Sequence, residues 1–404
     1  MSVTAQRAAD ETSVFESGVA SPPAARERLM ALDVFRGLTI AGMLLVNNPG
    51  TWSAVYDPLE HAPWHGWTPT DLIFPFFLFI VGVTTHLSVT ARRARGDDEA
   101  ALVRQIVRRG LVIVFLGLFL AAIPMTLDVG AYPAQLASLR IPGVLQRIGI
   151  VYIVAALLSL RTSARQQIIV IAILLLGYWL AMTVIPVPGR PAGTPPLAEP
   201  ALTLSAYIDR LLLDGHLWQA TRTWDPEGPL STLPAVATAM LGVLTGRWLA
   251  VRAALSDRLA ALFAVGSLIA VAGLVWNWWF PINKNIWTSS YVLFTGGVAA
   301  LTLATCMWLI DGRRITWWTK PFVIFGMNPI AAYVGAQGMA RLIYTTIKVP
   351  RGGGEVPLQR VIFEGGFASW LEPHDASLLF AVSYVLVWLG VMWLLYRRGI
   401  FLKV

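Results

Sequence analysis

The sequence predicts an all-α polytopic membrane protein, with about ten transmembrane helices and both termini cytoplasmic. Three observations predict it. The 404 residues are 56% hydrophobic and 13% charged, about half the charge of a soluble domain, and mean hydropathy is +0.62. Apolar runs long enough to cross a bilayer recur along the whole chain. Seventeen tryptophans, many near the ends of those runs, fit an interfacial aromatic belt.

The spans read at roughly 31–50, 70–91, 105–125, 141–160, 167–186, 231–250, 259–280, 287–310, 321–342 and 376–396. Residues 1–28 are polar and lack an apolar signal core, so a disordered cytoplasmic tail is expected before a transmembrane domain over 29–404. In the first span, "LDVFRGLTIAGMLLVNN", Asp33 and Arg36 share a face. Asn47 lies about three turns further, roughly 16 Å along that face. Lipid makes such groups costly, so this polar line is a candidate pathway.

The connection 50–69 runs into "EHAPWHGWTPTDLIFPFFLFIVG", where His61, His65 and three helix breakers precede Asp71 at the mouth of the second span. His86 sits near that span's other end, where it reads as a packing residue. "LRIPGVLQRIG" puts Arg140 and Arg147 two turns apart on one face. The connection 186–230 is rich in proline, with an amphipathic helix expected over 203–213, and Asp225 and Glu227 of "WDPEGPL" read as solvated loop carboxylates. "NKNIW" brings Lys284 to the joint of the seventh and eighth spans, and "FGMNP" sets Asn328 beside Pro329 in the ninth. A third long connection, 343–375, carries "RGGGE" and His374.

Most of the 31 basic residues fall between spans that a cytoplasmic N-terminus would leave inside, among them Arg92, Arg93, Arg95, Arg247, Arg313, Arg314 and Arg397. The three long connections then face outward. The net charge of +8 is thereby a topology signal, and no basic patch for nucleic acid is expected. The single cysteine, Cys306, excludes an intramolecular disulfide, and no asparagine sits in a glycosylation sequon. A bacterial cytoplasmic (inner) membrane is expected, with no metal site.

At this point whole motifs become recognisable. "LDVFRG", "VNNPG", "HAPWHGWTPTDLIFPFFLFIVG", "RIPGVLQRIGIVYIV", "NKNIWTSSYVL" and "PFVIFGMNPIAAYVG" resemble, in order, the catalytic membrane region of the heparan-alpha-glucosaminide N-acetyltransferase family. The resemblance is closer still to that family's bacterial members among the transmembrane acyltransferases, and covers about 30–345. It implies transfer of an acetyl group from acetyl-CoA to a sugar or glycan acceptor across the lipid bilayer, by a protein that forms a homodimer. The family's active-site histidine lands on His61, its motif carboxylate on Asp71 and its asparagine on Asn47. Set beside the animal enzyme, the protein is expected to lack a large lumenal N-terminal domain, and it carries His65 in place of asparagine.

The chemistry fits those residues. A thioester acyl transfer needs a base for the attacking amine or hydroxyl, or an imidazole that carries the acyl group itself. Asp71 would orient the ring and Asn47 would donate to the oxyanion. Arg36, with the basic inner segments, would hold CoA phosphates, and Arg147, Lys284 and Asn328 complete the expected donor-binding set. Blander readings stand beside these: His61 as an interfacial aromatic, Asp71 as a helix cap, the intramembrane polar residues as glue between helices. The competing function is a transporter or flippase using the same polar line, with His61 and Asp71 as a proton relay.

Overall fold

Backbone without water to bond must satisfy itself, so apolar segments become helices. The computed structural model describes residues 29–251 and 253–402; the tail expected over 1–28 lies outside the described residues. Helix α1 (Met30–Val46) leads into an irregular loop and a 3-10 turn, Pro69–Leu72, that opens α2 (Ile73–Ala94). There follow α3 (Glu99–Ala122), the short α4 (Tyr132–Ala137), α5 (Val144–Arg161) and α6 (Ala164–Val184). The chain continues through α7 (Leu204–Leu213), α8 (Pro229–Ala250), α9 (Leu255–Trp276) and α10 (Ser289–Met307). It ends with α11 (Lys320–Met327), α12 (Pro329–Arg341), a hairpin of β1 (Lys348–Arg351) and β2 (Gly354–Pro357), α13 (Leu358–Phe363) and α14 (Pro373–Arg397).

Among the described residues eight helices are long and apolar enough to cross a membrane, against ten expected spans. The two differences have local causes. Helix α1 has 17 residues because Asn48 turns its side-chain amide back onto the Leu44 carbonyl at 2.8 Å and Pro49 follows. The expected span 321–342 is two helices, broken at Asn328 (φ −130°, ψ 52°), whose helical conformation the ring of Pro329 disfavours. The Asn328 side chain secures the break: Nδ2 donates to the Ile400 carbonyl at 2.9 Å and Oδ1 accepts from the Leu402 N–H at 2.8 Å.

The helices form two layers. The apolar stretches of α2, α5, α8 and α10 are 61–72% buried, whereas those of α3, α6, α9 and α14 are 22–28% buried and present their remaining surface outward. Small residues set the closest contact of the inner layer. A Cβ at Gly82 of α2 would lie 1.9 Å from the Ala239 carbonyl oxygen, and one at Gly242 of α8 would lie 2.0 Å from that of Phe79. Backbones this close are characteristic of membrane helix pairs, where small side chains allow van der Waals contact along the whole length.

Helix α7 forms within the expected amphipathic stretch, capped by Thr203, whose hydroxyl accepts from the Ala206 N–H. The hairpin pairs Lys348 with Pro357 and Arg351 with Gly354. Gly352 and Gly353, both at positive φ, make the two-residue turn that this register requires. The start of α1 and the segment 400–402 lie at one end of the bundle. Asn328 holds Ile400 and Leu402 there, and Arg36 donates to the Gly326 carbonyl two residues away, at 3.0 Å.

Candidate active site

The loop between α1 and α2 is shaped by Asp71. Its side chain is 1% exposed, and Oδ2 accepts from the backbone N–H groups of Thr68 at 3.0 Å and Ala62 at 3.1 Å. Thr68 and Asp71 together make a capping box at the mouth of α2. The other carboxylate oxygen, Oδ1, lies 2.7 Å from Nδ1 of His61. A carboxylate can only accept, so Nδ1 carries a proton, and in the neutral ring Nε2 keeps its lone pair. The imidazole is 43% exposed, within reach of a substrate. Tyr291, fully buried at the start of α10, fixes the same turn by donating to the Asp71 carbonyl at 2.5 Å.

A second loop, between α9 and α10, meets the first. The N–H of Gly66, at a positive φ that suits glycine, donates to the Ile282 carbonyl at 2.8 Å. The second loop closes on itself: Asn283 accepts from the Ile286 N–H, and the Thr288 hydroxyl accepts from the Asn283 N–H. Trp287 stands in the left-handed region at φ 51°, an uncommon conformation for so large a residue and one often found beside functional groups. The loop delivers Lys284, whose Nζ lies 3.1 Å from His61 Nε2 and 4.0 Å from Asp71 Oδ1. Burial pulls the Lys284 ammonium below the usual lysine range, although Asp71 and Glu227 act to raise it.

Arg147 is almost wholly buried, over the Trp287 ring at 5.1 Å, and donates to the Gly228 carbonyl and the Ser231 hydroxyl. Among the described residues its Nε and Nη1 have no hydrogen-bond partner. Beside it lies a group that the sequence reading misjudged. Asp225 and Glu227 are not solvated: Asp225 is 1% exposed, and Arg140 grips both, reaching Asp225 at 2.6 and 2.8 Å and Glu227 at 2.5 Å. Burial works to raise Glu227, but Arg140, Arg147 and Lys284 together outweigh it and hold this carboxyl below its usual range. Asp209 completes the group by accepting from the Asp225 N–H at 3.0 Å.

Two cavities flank the inner helices. One, about 390 Å³, is lined by Asn47, Asn48, Arg140, Gln337, Arg341 and Trp218 among others. The second, about 400 Å³, is lined by Arg36, Arg92, Arg109 and the apolar faces of α2, α3 and α5. Leu145 and Tyr333 line both, so the two abut. The expected site residues therefore divide into three places. His61, Asp71 and Lys284 form one cluster; Asn47 faces the first cavity; Arg36, paired with Asp33 at 3.1 Å, faces the second. Asn328 lies beside the second cavity, whose lining includes its neighbours Met327, Pro329 and Leu402. His65 stays outside the cluster and takes a long 3.4 Å contact from Asn283. His86 is buried against Ser159, 3.0 Å away on α5.

Comparison with known proteins bears on the family. Residues 28–198 match the family described as heparan-alpha-glucosaminide N-acetyltransferase, catalytic. The chain is 32% identical over 435 residues to heparan-alpha-glucosaminide N-acetyltransferase of Homo sapiens, and 31% identical over 430 residues to that of Mus musculus. These matches support an acyltransferase family like that of heparan-alpha-glucosaminide N-acetyltransferase. Each alignment takes in 93% of this chain and 60% of the relative, so the chain spans about 60% of the length of the curated relatives it matches. The segment matching the family's catalytic region holds Arg36, Asn47, His61, Asp71 and Arg147, while Lys284 and Asn328 lie beyond it.

Proposed function

We propose that this protein is an acetyl-CoA-dependent acetyltransferase that moves an acetyl group to the amine or hydroxyl of a sugar on the opposite side of a bacterial cytoplasmic membrane. The observation that carries the reading is the His61–Asp71 pair: a partly exposed imidazole held by a buried carboxylate at 2.7 Å, its Nε2 free of the carboxylate. The acceptor nitrogen or oxygen attacks the thioester carbonyl carbon while His61 Nε2 takes its proton. Asp71 keeps Nδ1 protonated and steadies the imidazolium, the departing thiolate takes the proton back from the ring, and Asn47 lines the cavity along which the thioester arrives. In the two-step variant the acetyl group rests on Nε2 before the acceptor arrives.

The donor enters from the end bearing Arg36, Arg92 and Arg109. There the guanidinium groups suit the phosphates of CoA, and the apolar part of the cavity wall suits the pantetheine arm. The abutting cavities, meeting at Leu145 and Tyr333, supply the path along α1 toward Asn47. Arg147 and Lys284 belong to the acetyl end, and Asn328 acts through the C-terminal segment that walls the donor cavity.

A carrier is the second reading, favoured by the broken helix pair α11–α12, since interrupted helices are common at transport sites. The two readings separate on one measurement. Purified protein is given acetyl-CoA and glucosamine, and free thiol is followed with time. Thiol release matched by acetylated sugar is expected; intact acetyl-CoA would remove the enzyme reading and leave the carrier.

A further inference from the structure

The Lys284 amine occupies a position with a chemical consequence. Its Nζ lies over the His61 ring, 3.1 Å from Nε2 and 3.2 Å from Nδ1, beside the nitrogen that must accept a proton from the incoming nucleophile. The side chain is 17% exposed, so it is largely withdrawn from water while its tip touches the imidazole. Its backbone has little freedom to move away. Asn283 and Thr288 close the loop, the Trp287 N–H donates to the Lys284 carbonyl at 3.1 Å, and Gly66 ties the loop to the histidine segment. A primary amine held by contact with a catalytic base is the arrangement an amino-sugar acceptor must adopt.

We propose that Lys284 occupies the place of the acceptor's nucleophile and is itself acetylated by this enzyme when no acceptor is present. The inference rests on the acetyl-transfer reading above and adds to it a modification site. Burial supports it from the side of reactivity, because a lysine held below its usual range has more of the neutral amine that can attack. The step balances without any further reagent. The Nζ lone pair forms a bond to the thioester carbonyl carbon, the carbon–sulfur bond breaks, and one Nζ proton passes through His61 Nε2 to the departing thiolate. The products are CoA thiol and an Nζ-acetyl amide. From acetyl-His61 the same amide forms as the imidazole leaves. Acetylation removes the ammonium between His61, Asp71 and Glu227, so an acceptor protects the enzyme by taking the acetyl group first.

The chain has four lysines, and Lys320 and Lys348 are exposed, so non-enzymatic acetylation has internal controls. Full-length protein in detergent is incubated with acetyl-CoA alone, and with acetyl-CoA plus glucosamine, then digested and read by mass spectrometry. Acetyl-Lys284 is expected in the first arm at a rate well above Lys320 and Lys348, and it should fall as glucosamine rises. His61→Ala should lower it about a hundredfold or more, the usual contribution of a general base. A thermal shift by acetyl-CoA checks that this variant is folded, and Lys284→Arg should abolish the mark. Unmodified Lys284 in a preparation that acetylates glucosamine would overturn the inference and leave the enzyme reading intact. Equal marking of all three lysines, unaffected by His61→Ala, would overturn it as well. If neither Lys284 nor glucosamine is acetylated, both fall.

Discussion

Nδ1 of His61 lies 2.7 Å from Oδ1 of Asp71, while Oδ2 of the same carboxylate accepts from the backbone of Thr68 and Ala62. One buried side chain thus builds the loop and orients the ring that the loop presents. The helix-cap and catalytic readings of Asp71 are not alternatives, because the two oxygens divide the work. This coupling gives the site its rigidity: the ring cannot turn without losing a charge-assisted bond, and the carboxylate cannot move without unpicking the entry to α2.

Asp71→Asn tests the division. The amide oxygen can still accept from Thr68 and Ala62, so the fold should lose about 1 kcal/mol or less. The amide nitrogen then faces His61 and can only donate, which forces the ring into the tautomer with Nε2 protonated. Turnover should fall by roughly 10²–10⁴ at little cost in acetyl-CoA affinity. A fully active variant would remove Asp71 from the chemistry.

His61→Ala should abolish transfer while acetyl-CoA still binds, because the ring acts on the proton in the transition state and not on the donor's phosphates. Calorimetric binding beside a turnover assay reads both. His65→Ala, lying outside the cluster, should keep most activity.

Much of this architecture was legible in the sequence. Lipid imposes long apolar runs, so the eight longest helices could be located without coordinates. The loop motif also announced itself, since histidine and carboxylate stand ten residues apart. What stayed hidden depends on contacts between distant segments. Lys284 reaches His61 across 223 residues, and Arg140 reaches Asp225 across 85, so neither pairing leaves a local trace. Without its partner, "WDPEGPL" has the composition of any solvated loop. Pro329 marked a weak point in the ninth span, but the bonds from Asn328 to residues 400 and 402 that hold the two pieces apart are tertiary.

Arg36→Ala should weaken acetyl-CoA binding if the guanidinium holds a phosphate. The loss expected is about 1.5–3 kcal/mol, roughly 10- to 100-fold in Kd. Arg36→Lys should recover only part, since an ammonium cannot make the paired bonds of a guanidinium. Unchanged affinity in a folded variant would assign Arg36 to a structural role with Asp33 and the Gly326 carbonyl.

Arg140→Ala should be strongly destabilising, because it strands Asp225 and Glu227 in a buried setting without their common partner. Removing one side of a buried ion pair typically costs about 3–5 kcal/mol. The drop should show in the unfolding temperature in detergent, and Arg140→Lys should fall between. A neutral effect would mean that water already screens these carboxylates.

Asp209 gives a pH signature. It is fully buried, and that burial pushes its carboxyl up to about 7; the bond from the Asp225 N–H and the charges of Arg147 and Arg210 oppose the rise, and the Asp225 charge adds to it. An unfolded aspartate titrates near 3.9. Between those values the folded protein holds a proton that the unfolded chain has released. Its contribution to stability is therefore full below pH ~4, declines as pH rises, and is lost above about 7. The whole span is worth at most about 4 kcal/mol, since each pH unit corresponds to about 1.4 kcal/mol. Asp209→Asn keeps an acceptor for the Asp225 N–H and cannot ionise. Melting temperatures measured from pH 5 to 8 should decline for the wild type and decline less for the variant, with the two diverging most at the alkaline end. Parallel curves would show that Asp209 is already ionised throughout, with Arg147 as its counterion.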